Sequence, residues 1–195
     1  MTVNARKVAI GKPKVGGAIF FAKASDKAPL PTSARTSLDA KFKSMGYAAS
    51  EGLKRAIAKA YEVIRAWGGD EVARPRTELT ITLTFTLIES RNGEVAKAIF
   101  GEDAVTVTPA TSTEGTRIDV AYEGKDGPDG AWVIDMADGD GLLRLVVPNA
   151  QQVTESFEQT YGDAEVIAYP VELTLRRDAN QKFFYEYTDD GVKSA

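Results

Sequence analysis

A chain of 195 residues, 43% hydrophobic and 27% charged, has the composition of one globular domain, or one domain with arms, long enough to bury a core. Its uncharged apolar runs, such as Gly16–Ala22, fall well short of the ~20 residues of a membrane helix, and no basic-then-apolar leader follows Met1, so no membrane is expected as a partner. Cys 0 and His 0 remove disulfides, thiolate metal sites, histidine bases and the Ser-His-Asp triad, leaving carboxylate, lysine or tyrosine chemistry alone.

Met1–Lys14 is basic, carries Pro13 and reads as an N-terminal arm. Val15–Ala22 predicts a strand, and Lys23–Ser37, with Pro29 and Pro31, a loop. In the next segment Leu53, Ala56, Ile57, Ala60, Tyr61 and Ile64 fall at helical spacing, in a stretch rich in Ala, Lys and Arg that stops at Trp67-Gly68-Gly69. Glu78–Glu89 gives the clearest signal. Leu79, Ile81, Leu83, Phe85 and Leu87 alternate with Thr80, Thr82, Thr84 and Thr86, the period of a strand with one buried face.

Asn92 is placed to cap a short helix through Phe100, with Val95, Ala96, Ile99 and Phe100 on one face and Gly101 at its end. Strands follow at Val105–Thr108, Arg117–Tyr122, Ala131–Met136 and Leu142–Val147, and then at Gln152–Phe157, Glu165–Leu175 and Lys182–Tyr187. Their turns include Gly124–Gly130, Ala137–Gly141 and Asp178-Ala179-Asn180. Roughly eight or nine strands with one helix, and no βαβ alternation, predict a mainly antiparallel β-sandwich or barrel.

Charge is unevenly spread. Met1–Arg76 holds 15 Lys/Arg against 6 Asp/Glu, and Thr77–Ala195 holds 9 against 22. The halves either pair within one globule, or present complementary faces to neighbouring copies or a basic patch to nucleic acid. The basic arm lacks the interleaved aromatics that base stacking requires. GKPKVGG (Gly11–Gly17) has no following helix and is not a phosphate loop.

Asp135, Asp138 and Asp140 suggest calcium, but counting from Asp138 puts Leu142 and Asn149 where an EF-hand needs ligands, so a hairpin turn is expected instead. Asp126 and Asp129 bracket Pro128 in another turn. No acid pair stands out for hydrolysis, and no catalytic residue, metal or cofactor is expected. The threonine face is smoother than an ordinary solvent face. Strand Glu165–Leu175 would present Val166, Ala168, Pro170, Glu172 and Thr174 in the same way, giving a neutral-to-acidic surface, although β-propensity alone also favours threonine.

The chain resembles the major tail tube proteins of long-tailed (siphovirus-type) bacteriophages. The likeness is carried in order by GKPKVGGAIFFA (Gly11–Ala22), LDAKFKSMGYAASEGL (Leu38–Leu53), IRAWGGDEV (Ile64–Val72), FTLIES (Phe85–Ser90), EVAKAIFG (Glu94–Gly101), AWVIDM (Ala131–Met136), LLRLVVPNAQ (Leu142–Gln151) and YPVELT (Tyr169–Thr174). It implies a single tail tube domain over residues 1–195: a β-sandwich protomer with one flanking helix, an N-terminal arm over 1–14, a long inter-ring loop or hairpin over about 38–76 and a C-terminal tail over 188–195. Hexameric rings would stack into a tube for DNA ejection, made in the host cytoplasm and carried in the virion tail. Tape measure, tail terminator and tail-tip proteins would be its partners, and DNA would pass without specific contact. The inner tube of a contractile system is a close variant.

From that resemblance Glu78, Thr80, Thr82, Thr84, Thr86, Glu172 and Thr174 are expected to face the lumen. Arg65, Trp67, Gly68, Gly69 and Asp70 are expected between subunits, with a place in the protomer's own core as the other reading of Trp67. The resemblance implies an extended hairpin where local propensity over Leu53–Ala66 favours helix, and the extended form is preferred. A monomeric β-barrel binding a small apolar ligand is the alternative function, and a carboxylate enzyme ranks third.

Overall fold

A computed structural model describes residues 7–14, 17–153 and 158–193. In chain order its strands begin with β1 (Lys12–Pro13), β2 (Ile19–Lys23), β3 (Lys43–Ser44), β4 (Lys54–Tyr61), β5 (Ile64–Arg65), β6 (Glu71–Ala73) and β7 (Arg76–Leu87). Helix α1 (Gly93–Phe100) follows, then β8 (Val105–Thr108) and β9 (Arg117–Val120). The last strands are β10 (Gly130–Asp138), β11 (Gly141–Gln152), β12 (Tyr169–Leu175) and β13 (Tyr185–Asp189). The protein is mainly β, and every strand pair is antiparallel.

The main sheet runs β3-β2-β10-β11-β12-β7-β4, with β1 also on β10 and β13 also on β11. Strand β11 changes partner along its length: Leu142–Val146 pairs with β13, and Ala150–Gln152 with β12. One core fills one face of this sheet. Ile81, Leu83, Phe85 and Leu87 of β7 meet Tyr169, Val171, Leu173 and Leu175 of β12, together with Trp132, Leu145 and Val147. The β7 alternation is therefore realised residue by residue, since a period of two sends every second side chain inward.

Helix α1 closes this core with Val95, Ala98 and Ile99. The Asn92 side-chain oxygen accepts the Glu94 N–H at 3.0 Å, and Gly101 at φ 87° ends the helix in a conformation that favours glycine. Phe100 is half-buried and meets Tyr122 and Tyr169 edge to face.

A second apolar cluster covers the opposite face of β10 and β11, where Ala131, Val133 and Val146 pack with Phe42, Leu30 and Leu38 from the 24–42 loop. Arg144 fastens that loop. Its guanidinium donates to the Asp135 carboxylate at 2.5 and 2.7 Å and to the Ser33 and Thr36 carbonyls at 3.0 and 2.5 Å, and both charged residues are buried. Such a pair tolerates burial because the fork of donors satisfies every oxygen it faces. Asp135 thus belongs to an ion pair rather than to a cation loop.

Several element boundaries differ from those expected. The count is thirteen strands among the described residues, because short pairs such as β1, β3 and β5 carry no periodicity of their own. The strand expected from Val15 begins at Ile19, Val15 and Gly16 lying outside the described residues, and the one expected from Glu165 begins at Tyr169, with Val166 exposed. In the expected strand Gln152–Phe157, β11 takes Gln152, and residues 154–157 lie outside the described set. The last strand is shifted to Tyr185–Asp189, so Thr188 and Asp189 are sheet residues rather than tail. Pairing of Lys12–Pro13 with Met136–Ala137 likewise ties the end of the N-terminal arm to the sheet.

Strand β4 departs from its local propensity and takes the extended form that the resemblance implies. The helical spacing of Leu53, Ala56, Ile57, Ala60 and Tyr61 does not produce a helix, because β7 pairs with this segment from Lys54–Thr84 to Tyr61–Arg76. In a strand that spacing splits between two faces. Ala56, Ala58 and Ala60 lie on one side, and Arg55, Ile57 and Lys59 on the other, up to a register shift at Tyr61. Backbone pairing along eight residues outweighs a helix propensity of a few tenths of a kcal/mol per residue.

Candidate assembly surfaces

Strands β4 and β7 run past the core as a two-stranded arm, continued by β5 and β6 to a turn at Ala66–Asp70. The turn is built from its own residues. The Ala66 N–H donates to the Asp70 carbonyl at 2.8 Å, Gly69 N–H to the Ala66 carbonyl at 3.0 Å, and the Arg65 guanidinium to the Gly69 carbonyl at 2.9 Å. Gly68 and Gly69 take φ of 116° and 99°, which side-chain-bearing residues rarely adopt. Arg65, Trp67, Gly68, Gly69 and Asp70 therefore meet at one tip, where the glycines and Arg65 shape the turn. Trp67 projects from it with 107% relative exposure, which overturns the reading of this side chain as core.

The arm also exposes Ile57, Tyr61, Val63, Ile64 and Val72. Ile57 and Tyr61 are set out along the strand by pairing with β7, while Ile64 and Val72 stand on the β5–β6 extension. At its foot the arm is anchored by Arg55, which bonds Glu186 at 2.8 Å and lies 4.4 Å over the Phe184 ring. Strand β4 also ends the main sheet, so it presents an edge among the described residues.

The face of β7 turned away from the core carries the threonines. Cross-strand register aligns Lys54, Thr84 and Glu172 in one row, and Ala56, Thr82, Thr174 and Gln151 in the next. Thr80 stands opposite Ala58, Glu78 opposite Ala60, and Thr86 opposite Pro170. Thr80, Thr82, Thr84, Thr86, Glu172 and Thr174 are half-buried, whereas Glu78 is exposed and accepts the Thr80 hydroxyl at 3.1 Å. All seven expected residues share this face. Lys54 adds one cation to this otherwise neutral-to-acidic face, since β4 brings it into the row of Thr84 and Glu172.

Part of the charge imbalance is balanced within the protomer. Lys23–Glu102, Arg35–Asp189 and Arg55–Glu186 each join the basic N-terminal segment to the acidic remainder. The Arg35 guanidinium, helped by the Gly191 N–H, holds the Asp189 carboxyl down at about 2. Of the turn carboxylates, Asp129 pairs with Arg176 at 2.9 Å and Asp138 accepts the Ile10 N–H at 3.0 Å. The interior that a ligand-binding barrel would keep open is occupied by Trp132, Leu83, Leu173 and Val147.

A family model described as "Phage tail tube protein" matches residues 1–195. The chain belongs to that family. Among solved structures, it is similar to one described as the anti-feeding prophage cap (AFP tube terminating cap), at 12% identity and a TM-score of 0.40, covering 97% of this chain and 100% of that one. No curated protein matches. Membership makes this a structural component of the phage tail, which self-assembles and associates with other tail proteins.

Proposed function

We propose that the chain forms hexameric rings that stack head to tail into a hollow tube, through which DNA is ejected into the host. The observation that carries this reading is an arm of more than twenty residues exposed on both faces and tipped by Trp67. A monomer gains nothing from holding apolar side chains in water, whereas a second copy that buries them gains roughly 25 cal/mol per Å². Within the 38–76 segment, the hairpin reaches the next ring, and two different surfaces of one protomer make the heterologous contact that propagates a column.

The threonine face lines the channel. Short hydroxyl side chains with Glu78 and Glu172 offer phosphates no row of cations to hold, and Lys54 is set against a carboxylate in its own row. DNA then slides through without specific contact. Tape measure, tail terminator and tail-tip proteins complete the tail, which is assembled in the host cytoplasm and carried in the virion.

The Thr82→Lys/Thr84→Lys double variant tests the lining. Both threonines face away from the core, so tubes should still be seen by negative-stain microscopy. They should retain DNA, with retention falling as salt is raised. Normal passage of DNA would move this face to the outer wall, and a protein that fails to fold would put the threonines in the core.

A further inference from the structure

Stacking through the arm raises the question of what receives Trp67. We propose that Trp67 of one copy inserts into an apolar groove at the foot of the same arm on a copy in the adjoining ring. This inference rests on the stacked-ring reading above and names the surface that completes it.

The groove has a volume of about 510 Å³ and is lined by Ile19, Ala48, Ala49, Leu53, Ile134 and Met136. It is large enough for an indole, a group that buries roughly 150–250 Å² when covered. Its position in the chain is the second argument. Leu53 immediately precedes β4, so the groove lies where the arm begins, while Trp67 lies where it turns back. From Lys54 to Trp67 the arm spans up to about 40 Å at ~3.3 Å per residue. A copy displaced by one arm length along the arm places its foot at its neighbour's tip. The same displacement repeated builds an open column, because knob and socket are different surfaces of one chain.

Charge supplies the third argument. Lys14, also in the groove lining, is exposed and forms no ion pair among the described residues. Asp70, three residues from Trp67, is exposed and equally unpaired among them. Seating the indole therefore brings an unpaired carboxylate toward an unpaired ammonium, and this orients the tip. A deep aromatic anchor with a charged rim is also how binding energy concentrates in protein interfaces.

The chain has no cysteine, so an introduced pair reports only the contact it tests. Ala66→Cys at the tip and Ser50→Cys at the groove leave Trp67 in place. They stand too far apart within one copy for a disulfide, which needs Cα atoms roughly 4.4–6.8 Å apart. Oxidised tubes of the double variant should give a ladder of covalent multimers that reductant collapses, with no ladder from either single variant. Ala49→Trp, which fills the groove from within, should lower the assembled fraction at least tenfold while rings and circular dichroism persist. Wild-type tubes with no ladder in the double variant, or tubes formed normally by the Ala49→Trp protein, would overturn the socket and leave stacking intact. A wild-type protein that stays monomeric at every concentration would instead overturn the stacked-ring reading itself. Should Ala49→Trp misfold, the cysteine pair decides alone.

Discussion

The two tryptophans mark two regions of the molecule, the core of the main sheet and the tip of the arm. Trp132 in β10 is 1% exposed, with its ring 4.6 Å from Phe21 and 5.5 Å from Phe85, whereas Trp67 at the arm tip is 107% exposed. Strands β10 and β11 are covered on both faces, by the main core and by the 24–42 loop, while the arm is covered on neither. The first region obtains its stability from burial. The second holds its shape through backbone pairing, turn glycines and an anchor at Arg55, so its apolar side chains remain available to another molecule. Folding and assembly are thereby assigned to different residues, and substitutions should separate them.

The largest effect is expected in the doubly covered region. Arg144→Met leaves the buried Asp135 carboxylate without its partner and two loop carbonyls without donors, at a cost of about 3–5 kcal/mol. Arg55→Met removes a partly exposed pair at the foot of the arm and should cost about 1 kcal/mol or less. Urea unfolding of both variants checks the contrast, and equal losses would break it.

Trp67→Ala sharpens the comparison from the other side. With nothing in its own protomer packed on the indole, the unfolding free energy should change by less than about 0.5 kcal/mol. Tube formation, followed by light scattering, should be lost. A variant that unfolds would return Trp67 to the fold.

The smallest effect belongs to the Arg35–Asp189 contact, which ties the 24–42 loop to β13. Since Asp189 is depressed to about 2 when folded, its stabilisation is present above its unfolded value near 3.9 and is lost as pH falls through about 2. The Asp189→Asn variant should therefore lose part of the acid-side slope of stability between roughly pH 4 and 2. An Asp189 carboxyl that titrates near 4 by NMR would mean that Arg35 does not hold it.

The regions also differ in how far they could be read from residues alone. The β7 alternation is a local pattern that burial on one side enforces, the Asn92 cap is a local hydrogen bond, and β8 and β10 are short β-branched or apolar runs bounded by turns; the structure keeps all four. The Arg144–Asp135 pair was legible in principle: a two-residue turn at Gly139-Asp140 sets Asp138 opposite Gly141 and, three steps on, Asp135 opposite Arg144. The arm was not locally legible. Its strand has no core to bury, so no period-2 pattern marks it, and an Ala/Lys/Arg-rich stretch then defaults to helix. The absence of a local strand pattern also leaves the place of Lys54 in the threonine row unmarked. Resemblance to a family restored the extended form, whereas the gathering of Arg65, Trp67 and Asp70 at one tip followed from two adjacent glycines.

The most direct test of the division between folding and assembly is to shorten the arm. Replacing residues 62–73 with an Asn-Gly turn keeps β4, β7 and the whole core while removing Trp67 and its turn. Negative-stain microscopy should show tubes from the wild-type protein and at most isolated rings from the shortened one, with circular dichroism and unfolding midpoint unchanged. Tubes of ordinary length from the shortened protein, or its failure to fold, would contradict the assignment of this arm to assembly.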